Sequence, residues 1–191
     1  MSRTSHRPFR VCFVCTGNIC RSPMAESVFR AEAAAAGLGD RVVADSAGVD
    51  GWHEGEGADP RTVAALTAAG YPADHRARRF DAAWFAGRDL VIALDGGHLR
   101  ALRRMAPGPG DAAKVHLLRS YDPAGPGAGA LDVPDPYYGG PAEFAACLEM
   151  VEAACAGLLT AVSGALARGT AAAPPPSGGD APDFPRSAHD R

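Results

Sequence analysis

The sequence predicts an α/β fold, a four-stranded parallel sheet with helices on both faces in a single three-layer domain. Four short apolar runs have the length of buried strands, helical patterns lie between them, and 191 residues suffice for one domain with a core. Strands that alternate with helices pair in parallel, and ligands of such sheets bind beyond the carboxyl ends of the strands. The loops that follow the strands are therefore the first place to look for a site.

The strands are predicted from apolar, β-branched runs of four to six residues, at 10–15, 42–46, 90–94 and 115–118. Three helices are predicted among them, at 23–36, 59–70 and 98–105. The first ends where Gly37 interrupts the pattern, and the second begins with Asp59 as a cap and Pro60 at the first helical position.

A fourth helix follows the last strand and has the clearest pattern. Its apolar residues recur at spacings of 4, 3, 4, 3, 4 and 4, namely Phe144, Leu148, Val151, Cys155, Leu158, Val162 and Leu166. This helical period predicts one buried face. After Arg168 the pattern stops and Ala, Pro and Gly dominate. We therefore expect a flexible N-terminus at 1–8, a domain at 9–168 and a disordered tail at 169–191.

Composition excludes several classes of protein. Nineteen basic against 22 acidic residues give a net charge of −3, so we expect no nucleic acid partner. The first ten residues lack the pattern of a signal peptide, and the longest uncharged stretch, 153–167, is shorter than the roughly 18 residues of a membrane span. The five cysteines are an odd number, and without an export signal we expect them to be reduced thiols. We therefore expect a cytoplasmic protein that does not bind membranes. Later release from the cell stays open.

The loop after the first strand carries the chemistry. Cys15 ends the strand, Arg21 follows six residues later, and Pro23 starts a helix. Such a loop can direct successive backbone N–H groups at one point, where the helix dipole adds positive potential, and so form an anion site. Gly17 and Asn18 are residue types that tolerate the left-handed backbone this curl requires. The guanidinium of Arg21 matches two oxygens of a phosphate.

An anion site of this kind favours the thiolate form of Cys15, which is a nucleophile for phosphoryl transfer. A zinc or redox pair between Cys12 and Cys15 is the first alternative, but residues three apart in a strand point to opposite faces. We therefore expect no metal and interpret Cys12 as a small buried apolar residue. A tight turn without chemistry is the remaining alternative.

The sequence Cys15-Thr16-Gly17-Asn18-Ile19-Cys20-Arg21-Ser22-Pro23 resembles the active-site signature of the low-molecular-weight protein tyrosine phosphatases. The resemblance covers about residues 9–167. It continues through 45–48, Trp52, 75–78, 94–95, 120–123 and 135–139.

The resemblance implies a protein-tyrosine phosphatase without a cofactor. Cys15 attacks phosphorus and forms a phosphocysteine, which water hydrolyses, while Arg21 and the backbone amides of 16–22 hold the phosphoryl oxygens. The implied substrate-binding residues are Thr16, Gly17, Asn18, Ile19, Cys20, Ser22, Trp52, Tyr137 and Tyr138. Ser22 matches the hydroxyl that stabilises the thiolate, and the position also suits a helix N-cap. Tyrosine-phosphorylated proteins are the implied partners, and phosphate or vanadate the implied active-site anions.

Asp135 matches the general acid of the family, which a phenolate leaving group requires. Asp-Pro also occurs at Asp59 and Asp122, where a cap or turn is the expected role, and we do not expect Asp132 to be the acid. Only Asp135 is followed by two tyrosines and two glycines.

The remaining matches concern the surroundings of the loop. Ser46 and His75, with Asn18, match a hydrogen-bond network that supports it. Trp52, Tyr137 and Tyr138 match aromatic walls around the substrate ring. Cys20 matches a second loop cysteine that can trap an oxidised nucleophile as a disulfide.

Two other activities on this fold are weighed against phosphotyrosine hydrolysis. Arsenate reductases relay electrons through further cysteines, and this chain has none between Cys20 and Cys147. Protein arginine phosphatases carry Thr at the position of Ile19. The isoleucine in this chain therefore favours phosphotyrosine over phosphoarginine as the substrate. A binding module without turnover would lack the nucleophile or the acid. The segment 94–98 departs from the family, and its glycines and His98 are expected to affect substrate preference at the rim.

Overall fold

In the computed structural model, which describes residues 7–125 and 131–176, four parallel strands form one sheet in the order β2-β1-β3-β4. The strands are β1 (Phe9–Cys15), β2 (Val42–Gly48), β3 (Leu90–Ala93) and β4 (Val115–Leu117). The predicted fold class is confirmed, and each strand lies within two residues of its predicted bounds.

Five helices accompany the sheet in the described part of the chain: α1 (Arg21–Ala35), α2 (Pro60–Ala68), α3 (Gly96–Met105), α4 (Pro109–Ala112) and α5 (Pro141–Arg168). Two 3-10 segments lie at Ala82–Gly87 and Leu118–Tyr121. The side chain of Asp59 caps α2 by accepting a hydrogen bond from the Arg61 amide, and Pro60 opens the helix as predicted. Helix α4 was not predicted because four residues are too short for a periodic pattern.

Side chains of β1 alternate between the two faces of the sheet, each of which has its own apolar core. Phe13 and Cys15 face the core formed with α1 and α5, while Cys12 and Val14 face the core formed with α3 and the first 3-10 segment. The prediction that Cys12 and Cys15 point to opposite faces is confirmed, and Cys12 is fully buried.

The predicted apolar face of α5 is buried against α1 and the sheet, except that Ala165 is buried where Leu166 was expected. By length and composition alone this helix could span a membrane, but its apolar face packs in the core. A Cβ on Gly157 would lie 1.8 Å from the carbonyl oxygen of Tyr121, so only glycine allows this close approach of α5 to the second 3-10 segment.

The start of the predicted tail contacts the domain. Tyr121 Oη donates a 2.8 Å hydrogen bond to the carbonyl of Ala173, and Ala173 is buried. Residues 177–191 and 1–6 lie outside the described residues, so disorder in the tail and flexibility at the N-terminus stay predictions.

The strand order places the site. The chain leaves β1 for β2 on one side and returns to β3 on the other, so the loops after β1 and β3 leave neighbouring strands at the same edge. Loops that diverge from adjacent strands open a crevice between them, which is where such sheets bind ligands. The Val133 amide donates to the carbonyl of Leu94, which brings the segment that precedes α5 to the same edge.

Candidate active site

The loop of residues 15–21, called the anion loop below, connects β1 to α1. Asn18 has φ of +57°, the only non-glycine residue with positive φ in the described chain, as its residue type allows. Gly17 does not share this conformation, so its predicted left-handed backbone is wrong. At Gly17 the constraint is space instead, since a Cβ there would lie 2.9 Å from the ring of His53 and would displace that ring.

Cys15 ends β1 inside the loop, and its side chain is buried. Its Sγ lies 3.0 Å from the Oγ of Ser22. The alternative role of Ser22 as a helix N-cap is wrong, because α1 begins at Arg21 with Cys20 as the N-cap. Ser22 lies in the first helical turn, where its hydroxyl is directed at the sulfur.

The hydrogen bonds around Asn18 show which hydroxyl can donate to Cys15. The side-chain amide of Asn18 donates to the hydroxyls of Ser22 and Ser46, both at 2.9 Å, and Ser46 donates to Glu26 at 2.6 Å. Since each hydroxyl already accepts from the amide, the single proton of Ser22 is free for Cys15 or for the Ala47 carbonyl 3.3 Å away. A hydroxyl that donates to sulfur stabilises its thiolate form.

His75 and Arg78 hold the backbone of the loop at Asn18. His75 Nε2 lies 2.7 Å from the carbonyl oxygen of Asn18, which can only accept, so Nε2 carries a proton. Burial lowers the pKa of His75, although Glu26 lies 4.0 Å from its Nδ1. The backbone amide of Arg78 donates to the side-chain carbonyl of Asn18. Ser46 and His75 therefore contact the loop directly or through Asn18.

Glu26 belongs to this network, and sequence reasoning missed it. It lies in α1 at a spacing that no motif marks, and a glutamate inside a helix usually faces water. Only the packing of α1 beside β2 brings its carboxylate to Ser46.

Arg21 is buried, and two carboxylates hold its guanidinium. One terminal nitrogen donates to Asp95 at 2.8 Å and to the carbonyl of Val133 at 3.1 Å, and the other donates to Asp135 at 3.0 Å. The predicted acid therefore lies beside the loop. Asp132 does not, because its carboxylate accepts from the Gly96 amide instead.

Asp95 is a second residue that sequence reasoning did not assign to the site. Burial alone would raise the pKa of its carboxyl, but hydrogen bonds and charge from His98 and Arg21 outweigh burial and lower it. Asp95 also caps α3, and the position of a helix cap directly after β3 was the available signal.

A cleft of about 270 Å³ lies over the loop and opens to solvent. It is lined by Cys15, Thr16, Gly17, Ile19, Cys20, Arg21, Trp52, His53, Asp135, Tyr137 and Tyr138. A larger groove of about 580 Å³ runs between α1 and β2, but its lining holds no cysteine and no part of the anion loop. The smaller cleft is therefore the candidate site.

Aromatic side chains form the rim of the cleft. All three are exposed: Trp52 at 77%, Tyr138 at 94% and Tyr137 at 39%. Arg61 fixes this rim to α2 by donating to the carbonyls of Tyr137 and Gly139, both at 2.9 Å, while Asp59 holds its guanidinium. Arg61 was not predicted, because the backbone carbonyls that it binds at the rim are remote in sequence.

Cys20 lies buried in the loop, and burial raises the pKa of its thiol to about 12. The protonated thiol is a weak nucleophile, so Cys15 is the better placed of the two sulfurs for attack. A reversible disulfide between Cys15 and Cys20 stays a prediction.

Comparison with known proteins agrees with this geometry. Residues 10–168 match the sequence model of the family described as low molecular weight phosphotyrosine protein phosphatase. A low molecular weight protein-tyrosine-phosphatase of Streptomyces coelicolor is 71% identical over 154 residues, 81% of this chain and 93% of the relative. Low molecular weight protein-tyrosine phosphatase A of Mycobacterium tuberculosis is 48% identical over 161 residues, 84% of this chain and 96% of the relative.

Solved structures are similar as well. A protein tyrosine phosphatase from Entamoeba histolytica, with Hepes in its active site, superimposes with a TM-score of 0.77 at 30% identity, covering 83% of this chain and 99% of that one. YfkJ from Bacillus subtilis gives 0.75 at 35% identity, covering 84% and 98%.

Proposed function

Because this chain belongs to the low molecular weight phosphotyrosine protein phosphatase family, we propose that Cys15 is the nucleophile with which it hydrolyses phosphotyrosine in proteins. The observation that supports this role most is the 3.0 Å contact between Cys15 Sγ and Ser22 Oγ inside a loop that ends at a buried Arg21. Cys15 and Arg21 also line the same cleft, as phosphoryl transfer to a thiolate requires.

In the first step the thiolate of Cys15 attacks phosphorus, and the bond between phosphorus and the tyrosine oxygen breaks. The protonated carboxyl of Asp135 gives its proton to that oxygen, so tyrosine leaves as the neutral phenol. Arg21 and the amides of residues 16–22 hold the three remaining phosphoryl oxygens, whose charge they stabilise in the transition state.

In the second step water attacks the phosphocysteine. The carboxylate of Asp135 takes one proton from this water, the phosphorus–sulfur bond breaks, and inorganic phosphate leaves. Cys15 is again a thiolate, and Asp135 is again a protonated acid. The product phosphate and the phosphate analogue vanadate are the anions that we expect the loop to bind.

The rim favours an aromatic substrate. Trp52, Tyr137 and Tyr138 stand above the loop, and an aromatic pair contributes about 0.5–1.5 kcal/mol beyond area burial. The buried position of Cys15 also requires a side chain long enough to carry its phosphate down to the sulfur, which phosphoserine lacks. Ile19 lines the cleft with an apolar side chain, which supports tyrosine rather than arginine phosphate.

The test compares peptides that carry phosphotyrosine, phosphoserine or phosphoarginine, in buffer containing EDTA. We expect phosphate release from phosphotyrosine only, inhibition by vanadate, and loss of release in Cys15→Ser. Cys12→Ala is the matched control, since Cys12 faces the opposite core, and we expect it to stay active. Normal turnover by Cys15→Ser would contradict the proposal.

A cytoplasmic location and tyrosine-phosphorylated protein partners complete the proposal. A substrate trap would identify the partners: Asp135→Ala keeps the anion loop but lacks the acid, so it should hold phosphorylated proteins long enough for their recovery.

A further inference from the structure

His98 lies in the first turn of α3, and its side chain is buried rather than exposed at the rim. Its Nε2 lies 2.8 Å from the hydroxyl oxygen of Thr16, the second residue of the anion loop. The other ring nitrogen, Nδ1, makes no hydrogen bond within the described chain and lies 3.1 Å from a carboxylate oxygen of Asp95. The ring thus fills the space between the loops that follow β1 and β3.

We propose that His98 is a positioning residue that fixes the Thr16 end of the anion loop relative to Arg21. This inference rests on the proposed function, because it assigns a role in the same loop. It adds a residue that the family signature in the loop does not include, and it replaces the expected effect of His98 at the rim with a role in holding the loop.

The contacts form a closed path around one side of the loop. Thr16 contacts the ring of His98, the backbone amide of His98 donates to Asp95 at 2.9 Å, and Asp95 accepts from Arg21 at 2.8 Å. Thr16 and Arg21 stand near opposite ends of the loop. The path through α3 therefore fixes the distance between these ends, on which the aim of the loop amides depends.

A neutral imidazole suits this role. The pKa of His98 is lowered to about 4. Burial is the largest cause and the charge of Arg21 adds to it, while the charge of Asp95 acts in the opposite direction. Asp132 and Asp135 also face the ring from the neighbouring segment and raise its pKa, but less. A neutral ring carries one donor and one acceptor, so it can bond to Thr16 without adding a charge beside Arg21.

Three variants test whether His98 acts through its hydrogen bond to Thr16 or only through the volume of its ring. The amide of His98→Gln can reach the position of Nε2, whereas that of His98→Asn reaches only the position of Nδ1, beside Asp95. Thr16→Val removes the hydroxyl at constant shape. His116→Gln is the matched control, because His116 is a half-buried histidine on β4 outside the cleft.

The assay measures kcat and KM for p-nitrophenyl phosphate, together with inhibition by vanadate and by phosphate. Losing one hydrogen bond that aims the loop should lower kcat about three- to tenfold in His98→Asn and Thr16→Val, with KM within about twofold. Vanadate, which resembles the five-coordinate transition state, should bind more weakly by the same factor, and phosphate should change less. His98→Gln should recover most of the activity, and the Thr16→Val/His98→Asn double variant should lose no more than either single variant.

Wild-type kcat in His98→Asn, equal losses in His98→Gln and His98→Asn, or losses that multiply in the double variant would each overturn this inference. If His98→Asn does not fold, Thr16→Val and His98→Gln still decide it. These outcomes leave the proposed function standing, because that function is tested separately by Cys15→Ser.

Discussion

The guanidinium of Arg21 donates a 3.0 Å hydrogen bond to the carboxylate of Asp135, which stands 114 residues further along the chain. This contact joins the anion loop to the segment that precedes α5. It places a carboxyl group in the cleft that Cys15 lines, where a proton donor for the leaving group must stand.

Replacing this carboxyl group should affect substrates according to their leaving group. Asp135→Asn keeps the shape but cannot donate the proton, so we expect kcat/KM, which reports the phosphorylation of Cys15 rather than the later hydrolysis, to fall about 10²–10⁴-fold for phenyl phosphate. The loss should be much smaller for 2,4-dinitrophenyl phosphate, whose leaving group needs no proton. Steady-state kinetics on both esters measures the difference.

Asp132→Asn is the control, because Asp132 bonds to the Gly96 amide outside the loop and its variant should keep its activity on both esters. Equal losses on the two esters in Asp135→Asn would show that Asp135 is not the proton donor.

Asn18 has two roles that two substitutions can separate. Both Asn18→Gly and Asn18→Ala lose the bonds to Ser22, Ser46 and the Arg78 amide, so we expect kcat to fall about 10-fold or more in each. Glycine adopts the φ of +57° at this position without strain, whereas the Cβ of alanine should cost about 1 kcal/mol more in unfolding free energy. Kinetics and urea unfolding of the two variants check this. Wild-type kcat in Asn18→Gly would mean that the side-chain network is dispensable.

Glu32 on α1 should make stability depend on pH. Burial, with a smaller effect of Glu152, raises the pKa of Glu32 from 4.5 to about 7. Between these values the folded protein keeps a proton that the unfolded chain releases, so stability is full below pH 4.5 and falls as pH rises through 7. Glu32→Gln should remove this loss and be more stable than wild type at pH 8 by about 2 kcal/mol, less than the full shift implies because water screens the partly exposed carboxyl.

Urea unfolding at pH 4 and pH 8 measures this effect, and the two proteins should have nearly equal stability at pH 4. The exposed Glu149→Gln is the control and should change neither value. A stability difference between wild type and Glu32→Gln that is the same at both pH values would contradict this assignment.

The sequence predicted the parts of the site that local chemistry determines. The loop from Cys15 to Arg21 follows a buried strand, and strand period alone separates Cys15 from Cys12. Asp135 could be preferred over Asp132 because of the two tyrosines that follow it. Those features lie within a few residues of each other, so a single sequence carries them.

The residues that were missed act across long separations. Asp95, Glu26 and Arg61 each meet the site through a partner at least 20 positions away. Their alignment depends on strand order and helix packing, which residue types do not encode locally. His98 shows the same limit in another form: it was expected at the rim, because a histidine near a helix start gives no sign that the neighbouring strand's loop will cover it.

The covalent intermediate tests the central claim most directly. Wild-type protein mixed with a phosphotyrosine peptide, quenched with acid within milliseconds and digested, should yield one peptide heavier by a phosphoryl group, with the group on the sulfur of Cys15. Asp135→Ala, which slows hydrolysis of the intermediate, should increase its yield with an activated ester such as 2,4-dinitrophenyl phosphate. A phosphoryl group on any other residue, or turnover by Cys15→Ser at the wild-type rate, would contradict the account.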